Sequence, residues 1–559
     1  MKVQKSISQL IAPFFVAGSL LLLSGCGDSL LDSLNTNEEI VEGGTTVATS
    51  IDQAAGMFLS AQGLVHDKEP HQYQYQFNLH IDNYCGYLSL PQNFDGRQAS
   101  TYYINKDFAS GPRSSFFKTA TQVLPVIRGA KTLDIEEIGA MASILYCYSA
   151  QELVDVYGPF PWWDYKQEKQ DPPLTYYSVE DIYDSIFTDI QASINVLLQF
   201  EKTTQEHQNV INKILKNDKK DRLCEGNVSN WIRFANSLRL RMAMHISTVA
   251  PEKAKEQARL AINGGVLEFG GKNIAYDVTV DGGTNPLAFI SSSWQDTRLN
   301  ASFENLLKRL KSPLLSVWFM QNDKAITDNL GNEKLAEKSD YIGIRSGLAT
   351  DPRSASNKYL DFSALSTGYN FRPVYLMKVS EVQFLLAEAT LRWGEEMTGA
   401  PAQLYYENGI ICSFVDENIF DANAQDQYIL LEKPEEIDYV DYFDAQNNAK
   451  GLVTIGVMWD DEDSPEVKLE KIITQKYIAN FPMGLEAWTD LRRTGFPKIY
   501  PVVDDDGDGS IPEGEIIRRI PYIINDDSDK EDVSSSAVPL LGGPDLQGTR
   551  LWWDTGRLF

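Results

Sequence analysis

The stretch from Leu469 to Pro497, LEKIITQKYIANFPMGLEAWTDLRRTGFP, restricts this chain more than any other part of it. Leu469, Ile472, Ile473, Lys476, Tyr477 and Asn480 recur at steps of three and four, so they share one mostly apolar helix face along which the Lys476 stem can lie. Leu485, Trp488 and Leu491 line a second helix, with Arg492 and Arg493 in its last turn, where cations suit the carbonyl end of the dipole. Gly495 ends it ahead of Phe496-Pro497. Joined by Phe481-Pro482-Met483-Gly484, the two helices form an antiparallel pair. A lone pair leaves apolar surface uncovered, so further helices are expected to stack on it.

The same spacing returns elsewhere. Ile138, Ala142, Leu145 and Leu153 mark a helix over Ile135 to Val156, which Tyr157-Gly158-Pro159 stops. Ser178-Val179-Glu180-Asp181 resembles a capping box for a helix carrying Ile182, Ile186, Ile190 and Ile194. Trp231, Phe234, Leu238, Met242 and Ile246 line another, and Pro251 with Gly264 brackets its short partner. Leu376 to Trp393 and Ala402 to Phe414 make one more pair, with Ala387 and Ala389 allowing close approach. Recurring helical pairs suggest a mainly α fold class, a tetratricopeptide-like array of helical hairpins, although the repeat is degenerate and its spacing irregular. Two long irregular insertions interrupt it, at about 265–371 (rich in Gly, Asn, Ser and aromatics) and 420–466 (acidic). Loops of that length are functional or inserted. The aromatic tract from His71 to Tyr103 follows neither the helix nor the strand period.

Lys2 and Lys5 precede an apolar run from Leu10 to Leu23, then Ser24-Gly25-Cys26. That run is shorter than the roughly 20 residues a spanning helix needs and suits a signal-peptide core, so residues 1–25 are read as an export signal. Leu23-Ser24-Gly25-Cys26 resembles a bacterial lipobox, which makes Cys26 the lipid attachment point and 26–56, polar and Gly-containing, a lipidated tether. With 50 Lys and Arg against 78 Asp and Glu, the net charge of −28 has the wrong sign for a nucleic-acid partner. The other cysteines, Cys85, Cys147, Cys224 and Cys412, form no CxxC and are too few for a disulfide scaffold. Cys147 and Cys412 read as buried, inert thiols.

Gln475-Lys476-Tyr477-Ile478-Ala479 and Glu486-Ala487-Trp488-Thr489-Asp490-Leu491-Arg492-Arg493-Thr494-Gly495-Phe496-Pro497 resemble the late signature of the SusD and RagB family of outer-membrane nutrient-binding lipoproteins. Tyr157 to Pro161, Ser178 to Asp184, Phe234 to Arg241, Lys378 to Ala389, Tyr405 to Ile410, Arg519 to Tyr522, Gly542 to Asp545 and Thr549 to Asp554 resemble family motifs in family order. The resemblance implies a helical body of tetratricopeptide-like pairs with a loop-rich remainder, one domain over about 57–559, in a non-catalytic lipoprotein on the outer membrane, facing the cell exterior. It would capture an oligosaccharide or other nutrient and work as a lid with a SusC-like TonB-dependent barrel. An exported helical-repeat scaffold or peptide-binding lipoprotein is the competing reading. A glycoside hydrolase is a third, since carboxylates are abundant, but no HExxH or GxSxG motif is present.

Two sets of site residues follow. A sugar would need rings to stack on its C–H faces and amide or charged groups to read its hydroxyls. Asn83 and Tyr84, Trp294 with Gln295 and Arg298, and Trp318 have those side chains in the early tract and the middle insertion. Separately, Asp504-Asp505-Asp506-Gly507-Asp508-Gly509-Ser510-Ile511-Pro512-Glu513-Gly514-Glu515 fills a twelve-residue calcium template. Asp504, Asp506 and Asp508 stand at its first, third and fifth places, Ser510 offers a carbonyl at the seventh and Glu515 two oxygens at the twelfth. Pro497, Pro501 and Pro521 deny it the flanking helices of an EF-hand, so the readings are a calcium loop of another kind or a solvated acidic turn.

Overall fold

Capping residues and helix breakers divide the chain into helices that the interior then gathers. The structure is a computed structural model and describes residues 47–94, 99–327, 331–348, 350 and 357–559. The expected signal peptide, Cys26 and the expected tether as far as residue 46 lie outside the described residues. Ten helices of eleven residues or more stand among those described: α1 (Ile51–Gln62), α2 (Gly111–Gly129), α3 (Glu136–Tyr157), α4 (Val179–Leu197), α5 (Val228–His245), α6 (Pro251–Gly264), α7 (Val379–Trp393), α8 (Ala402–Asp416), α9 (Pro465–Asn480) and α10 (Gly484–Thr494).

Local chemistry explains the boundaries. The side chains of Ser50, Ser178 and Asn227 accept from backbone N–H groups in the first turns of α1, α4 and α5. Gly495 ends α10 in the left-handed region, φ 72°, where a side chain would be strained. The folded body starts earlier than the tether boundary at 56: Ala48 is buried and donates its N–H to Pro125 O at 2.9 Å. At Gly129 an added Cβ would meet Ala48 O at 2.5 Å, so this approach needs glycine. α2 is absent from the sequence reading: Pro112 stands in its first turn, where proline is tolerated, but Pro125 lies inside it, ordinarily a helix-breaking signal. The helix expected from Leu376 begins at Val379, because Val374–Met377 is taken by a strand.

Consecutive helices pack from α1 through α6, α7 packs on α8, and α9 packs on both α7 and α8. Contacts of α5 with α7, and of α10 with α3 and α5, join the early and late hairpins. The result is the expected tetratricopeptide-like array. Short two-stranded antiparallel pairs tie the loops to it: β1 (Leu88–Ser89) with β3 (Arg298–Leu299), β2 (Ile274–Tyr276) with β6 (Val374–Met377), and β4 (Ile326–Thr327) with β5 (Glu333–Leu335). Leu88 stands opposite Leu299 and Ser89 opposite Arg298.

The interior holds charge as well as hydrocarbon. Lys476 is 0% exposed, so its ammonium does not reach water from the apolar face; it donates to Glu486 at 2.6 Å and lies 2.9 Å from Asp490. Arg493 donates to both Glu388 oxygens at 2.7 and 2.6 Å. Arg241 does the same to Glu381 at 2.7 and 2.9 Å, and His245 Nε2 lies 3.1 Å from Glu486. The motif residues of α5, α7, α9 and α10 therefore pair with one another across helices. Such pairs lose hydration on burial, and removing one partner strands the other, so they specify which helices meet more than they add net stability. Cys85, Cys147, Cys224 and Cys412 are all buried and free.

Candidate functional site

The early aromatic tract and the middle insertion meet at one place because β1 pairs with β3. Side chains reinforce the join: Gln74 and Gln92 both donate amide N–H groups to Asp296, the first at 2.9 Å, and Asn78 donates to Thr297 at 3.2 Å. Asn300 donates to Ser89 and Ser346, each at 2.8 Å, and caps the next helix by accepting from Ser302 N at 2.7 Å. At Gly343 an added Cβ would lie 2.6 Å from the Asn300 backbone, so only glycine permits this crossing.

Beside this junction opens a cavity of about 820 Å³, lined by Ser291, Ser292, Gln295, Arg298, Met320, Gln321, Asp323, Lys324, Lys338, Tyr341, Asn357 and Asp361, among others. Its size and mixed lining suit a small polar molecule or the end of a longer one. Gln295 is exposed at φ 59°, closing the turn over Ile290–Trp294 and turning its amide outward. Arg298 is 4% exposed, and its guanidinium donates to the carbonyls of Leu360 (2.7 and 3.1 Å), Thr297 (2.8 Å) and Ser291 (3.2 Å). Asp361 accepts from Lys324 at 2.8 Å.

The other expected sugar contacts lie elsewhere. Tyr84 is 2% exposed, its ring 5.4 Å from that of Trp488. Asn83 is buried and organises its own turn, donating to Asn78 O at 2.8 Å and accepting from Leu90 N at 3.2 Å. Trp318 is 1% exposed, stacked on Phe303 and 4.8 Å from Phe481. Buried to this degree, Tyr84 and Trp318 cannot offer a stacking surface here; they are core residues. Trp294 is half-buried, with its ring edge against Phe289 at 5.3 Å. Gln321, Asp323, Lys324, Lys338, Tyr341 and Asp361 line the cavity and have no sequence signal beyond membership of the middle insertion. Trp162, Trp488 and Trp553 are structural, each 0% exposed, whereas Trp163 is exposed.

The acidic loop does not converge on a cation. Among the described residues no group of three or more His, Cys, Asp or Glu is placed to hold a metal ion. Asp508 accepts from Ser510 N at 3.0 Å and Gln547 N at 2.8 Å, while Glu515 accepts from Arg518 at 2.8 Å and Arg550 at 3.2 Å. The hydrogen bond from Arg518 holds the Glu515 carboxyl below its usual range. Asp504 and Asp506 are exposed, and their backbone N–H groups bond to Gly347 O and Thr101 O. In this arrangement Glu515, the residue expected to supply two oxygens, is engaged by two guanidinium groups.

Comparison with known proteins follows the same lines. The SusD-like family, described as SusD and RagB outer membrane lipoprotein, matches residues 33–554. Among solved structures, the chain resembles a chitin-binding SusD homolog from Flavobacterium johnsoniae, at 29% identity over 90% of this chain and 99% of that one, with a TM-score of 0.78. A SusD homolog from Bacteroides ovatus matches at 26% identity, 90% and 99% coverage and TM-score 0.77, and one from Bacteroides vulgatus at 27%, 90%, 98% and 0.75. No curated protein matches the chain.

Proposed function

Because the chain belongs to the SusD-like family of outer membrane lipoproteins, we propose that it is a non-catalytic surface protein that binds a glycan in the middle-insertion cavity and passes it to a SusC-like TonB-dependent barrel. The observation that carries the binding half is the cavity itself, about 820 Å³, beside the junction where early and middle loops are held together by paired strands and buried amides. The chitin-binding relative supports a glycan as the ligand class. Among the described residues no helix is long and apolar enough to cross a membrane, and the lipid on Cys26 would supply the attachment. Held there, with its tether as a leash, the helical body would stay at high effective concentration over a channel and face outward.

Calcium in the Asp504–Glu515 loop stays a proposal supported by its residue pattern alone. A second reading, an exported helical-repeat scaffold or peptide-binding lipoprotein, draws support from the burial of Tyr84 and Trp318, which leaves few rings for sugar. A glycan array separates the two. Retention of oligosaccharides by the wild type, weakened in Gln295→Ala at unchanged melting temperature, supports nutrient capture. Silence across the whole array supports the scaffold.

A further inference from the structure

Helix α5 carries two buried arginines two positions apart, and they differ in what faces their charge. Arg241 is closed off by Glu381 through two hydrogen bonds of 2.7 and 2.9 Å. Arg239 is just as buried, at 3% exposed, yet no carboxylate lies within ion-pairing distance of it among the described residues. Its Nη1 donates to Gln191 Oε1 at 2.8 Å, its Nη2 makes a long contact of 3.4 Å to Phe187 O, and its Nε meets no acceptor. Glu256 is near enough to favour the charge, but its own oxygens are taken by Arg259 at 2.7 and 3.0 Å. Burial therefore pushes Arg239 down to about 10. A largely buried guanidinium with no paired carboxylate and an unbonded Nε is under-satisfied, and an anion reaching it would supply the missing counter-charge.

Arg239 lines an open cavity of about 690 Å³ between α4 and α6. Gln191 is oriented for it, since its amide nitrogen donates to Asn195 Oδ1 at 2.8 Å and turns its oxygen to the arginine. The rim lysine, Lys253, is already held by Glu180 at 3.1 Å and Asp184 at 2.8 Å, which leaves Arg239 as the cation facing the space without a carboxylate. Gln257 lines the same cavity, and its Oε1 lies just beneath that surface, buried and without a donor. The cavity thus offers an uncompensated cation and an unused acceptor together, and it shares no lining residue with the cavity of the middle insertion.

We infer that the cavity between α4 and α6 is a carboxylate-binding notch, in which Arg239 takes the carboxylate and Gln257 accepts from an N–H or O–H beside it. A planar carboxylate matches a guanidinium better than any neutral group does. The chemistry is shared by an acidic peptide segment and by a uronic acid. The inference is independent of the nutrient reading, because it concerns a different face.

The test titrates the full mature chain, by calorimetry, with two matched pairs: Ac-Ala-Asp-Ala-amide against Ac-Ala-Asn-Ala-amide, and glucuronic acid against glucose. At least one acidic member should bind about tenfold or more tighter than its neutral twin, the scale of a charge-assisted hydrogen bond, and whichever pair shows it identifies the source. Arg239→Gln should abolish that preference. Gln257→Leu, which leaves the guanidinium untouched, should weaken it and serves if Arg239→Gln does not fold. Equal binding within both pairs, no binding by any of the four, or a preference that survives both substitutions overturns the proposal.

Discussion

At the scale of single residues, burial separates side chains that look alike in the sequence. Trp318 and Gln295 both lie in the middle insertion and both carry groups a sugar could use, yet one is 1% exposed and the other reaches solvent at a cavity. Trp318→Ala should therefore cost about 3–5 kcal/mol of stability, the usual loss for emptying an aromatic site, with denaturant unfolding as the measurement. Gln295→Ala should leave that unfolding curve in place and change ligand retention instead. Arg493→Met removes the partner of Glu388 and leaves a buried carboxylate without its bidentate donor. A loss of about 3–5 kcal/mol is expected there, and near-neutral stability would show that Arg392 alone suffices for Glu388.

At the scale of elements, the late hairpin was legible because steps of three and four need only local geometry. The helix ends at Asn480 and Thr494 and the glycine stop at Gly495 stand where that spacing puts them. The role of its charges was not legible. Lys476 fits the amphipathic pattern as a snorkelling stem, but α10 folds back and brings Glu486 and Asp490 to it across the hairpin. This arrangement carries a pH signature at His245. Burial opposes its charge, yet Glu486 and Asp155 outweigh that and raise it from 6.5 to about 9. A raised folded pKa means the stabilisation is complete below the unfolded value and is lost as pH rises through the folded one. The melting temperature should accordingly fall between pH 6.5 and about 9, and His245→Gln should flatten that slope. The acidic loop gives the opposite lesson, since a linear template specifies ligand order and says nothing of neighbours. Calcium binding would have to draw Glu515 from Arg518 and Arg550. A calcium titration giving heat and a higher melting temperature would establish that exchange; Glu515→Gln should then abolish both.

At the scale of the whole molecule, the proposed capture rests on the helical hairpins and on the cavity of the middle insertion. If it works with a transporter, solubilised native membranes should yield a large β-barrel together with this chain, and recovery of the lipoprotein alone would remove that half of the proposal. The helical class and the motif order were decided by sequence, because periodicity, caps and breakers act within a few residues along the chain. The middle insertion was marked in the same way, as a long stretch without periodicity. Which of its side chains face a cavity was decided only by tertiary structure. Gln92 is brought to Asp296 across 204 residues where strands pair, and Lys324 to Asp361 across 37 at the cavity, and no local pattern encodes a contact made at either range. The same reason explains Arg239 and Arg241: two residues apart on one helix, they differ in whether a distant carboxylate folds against them.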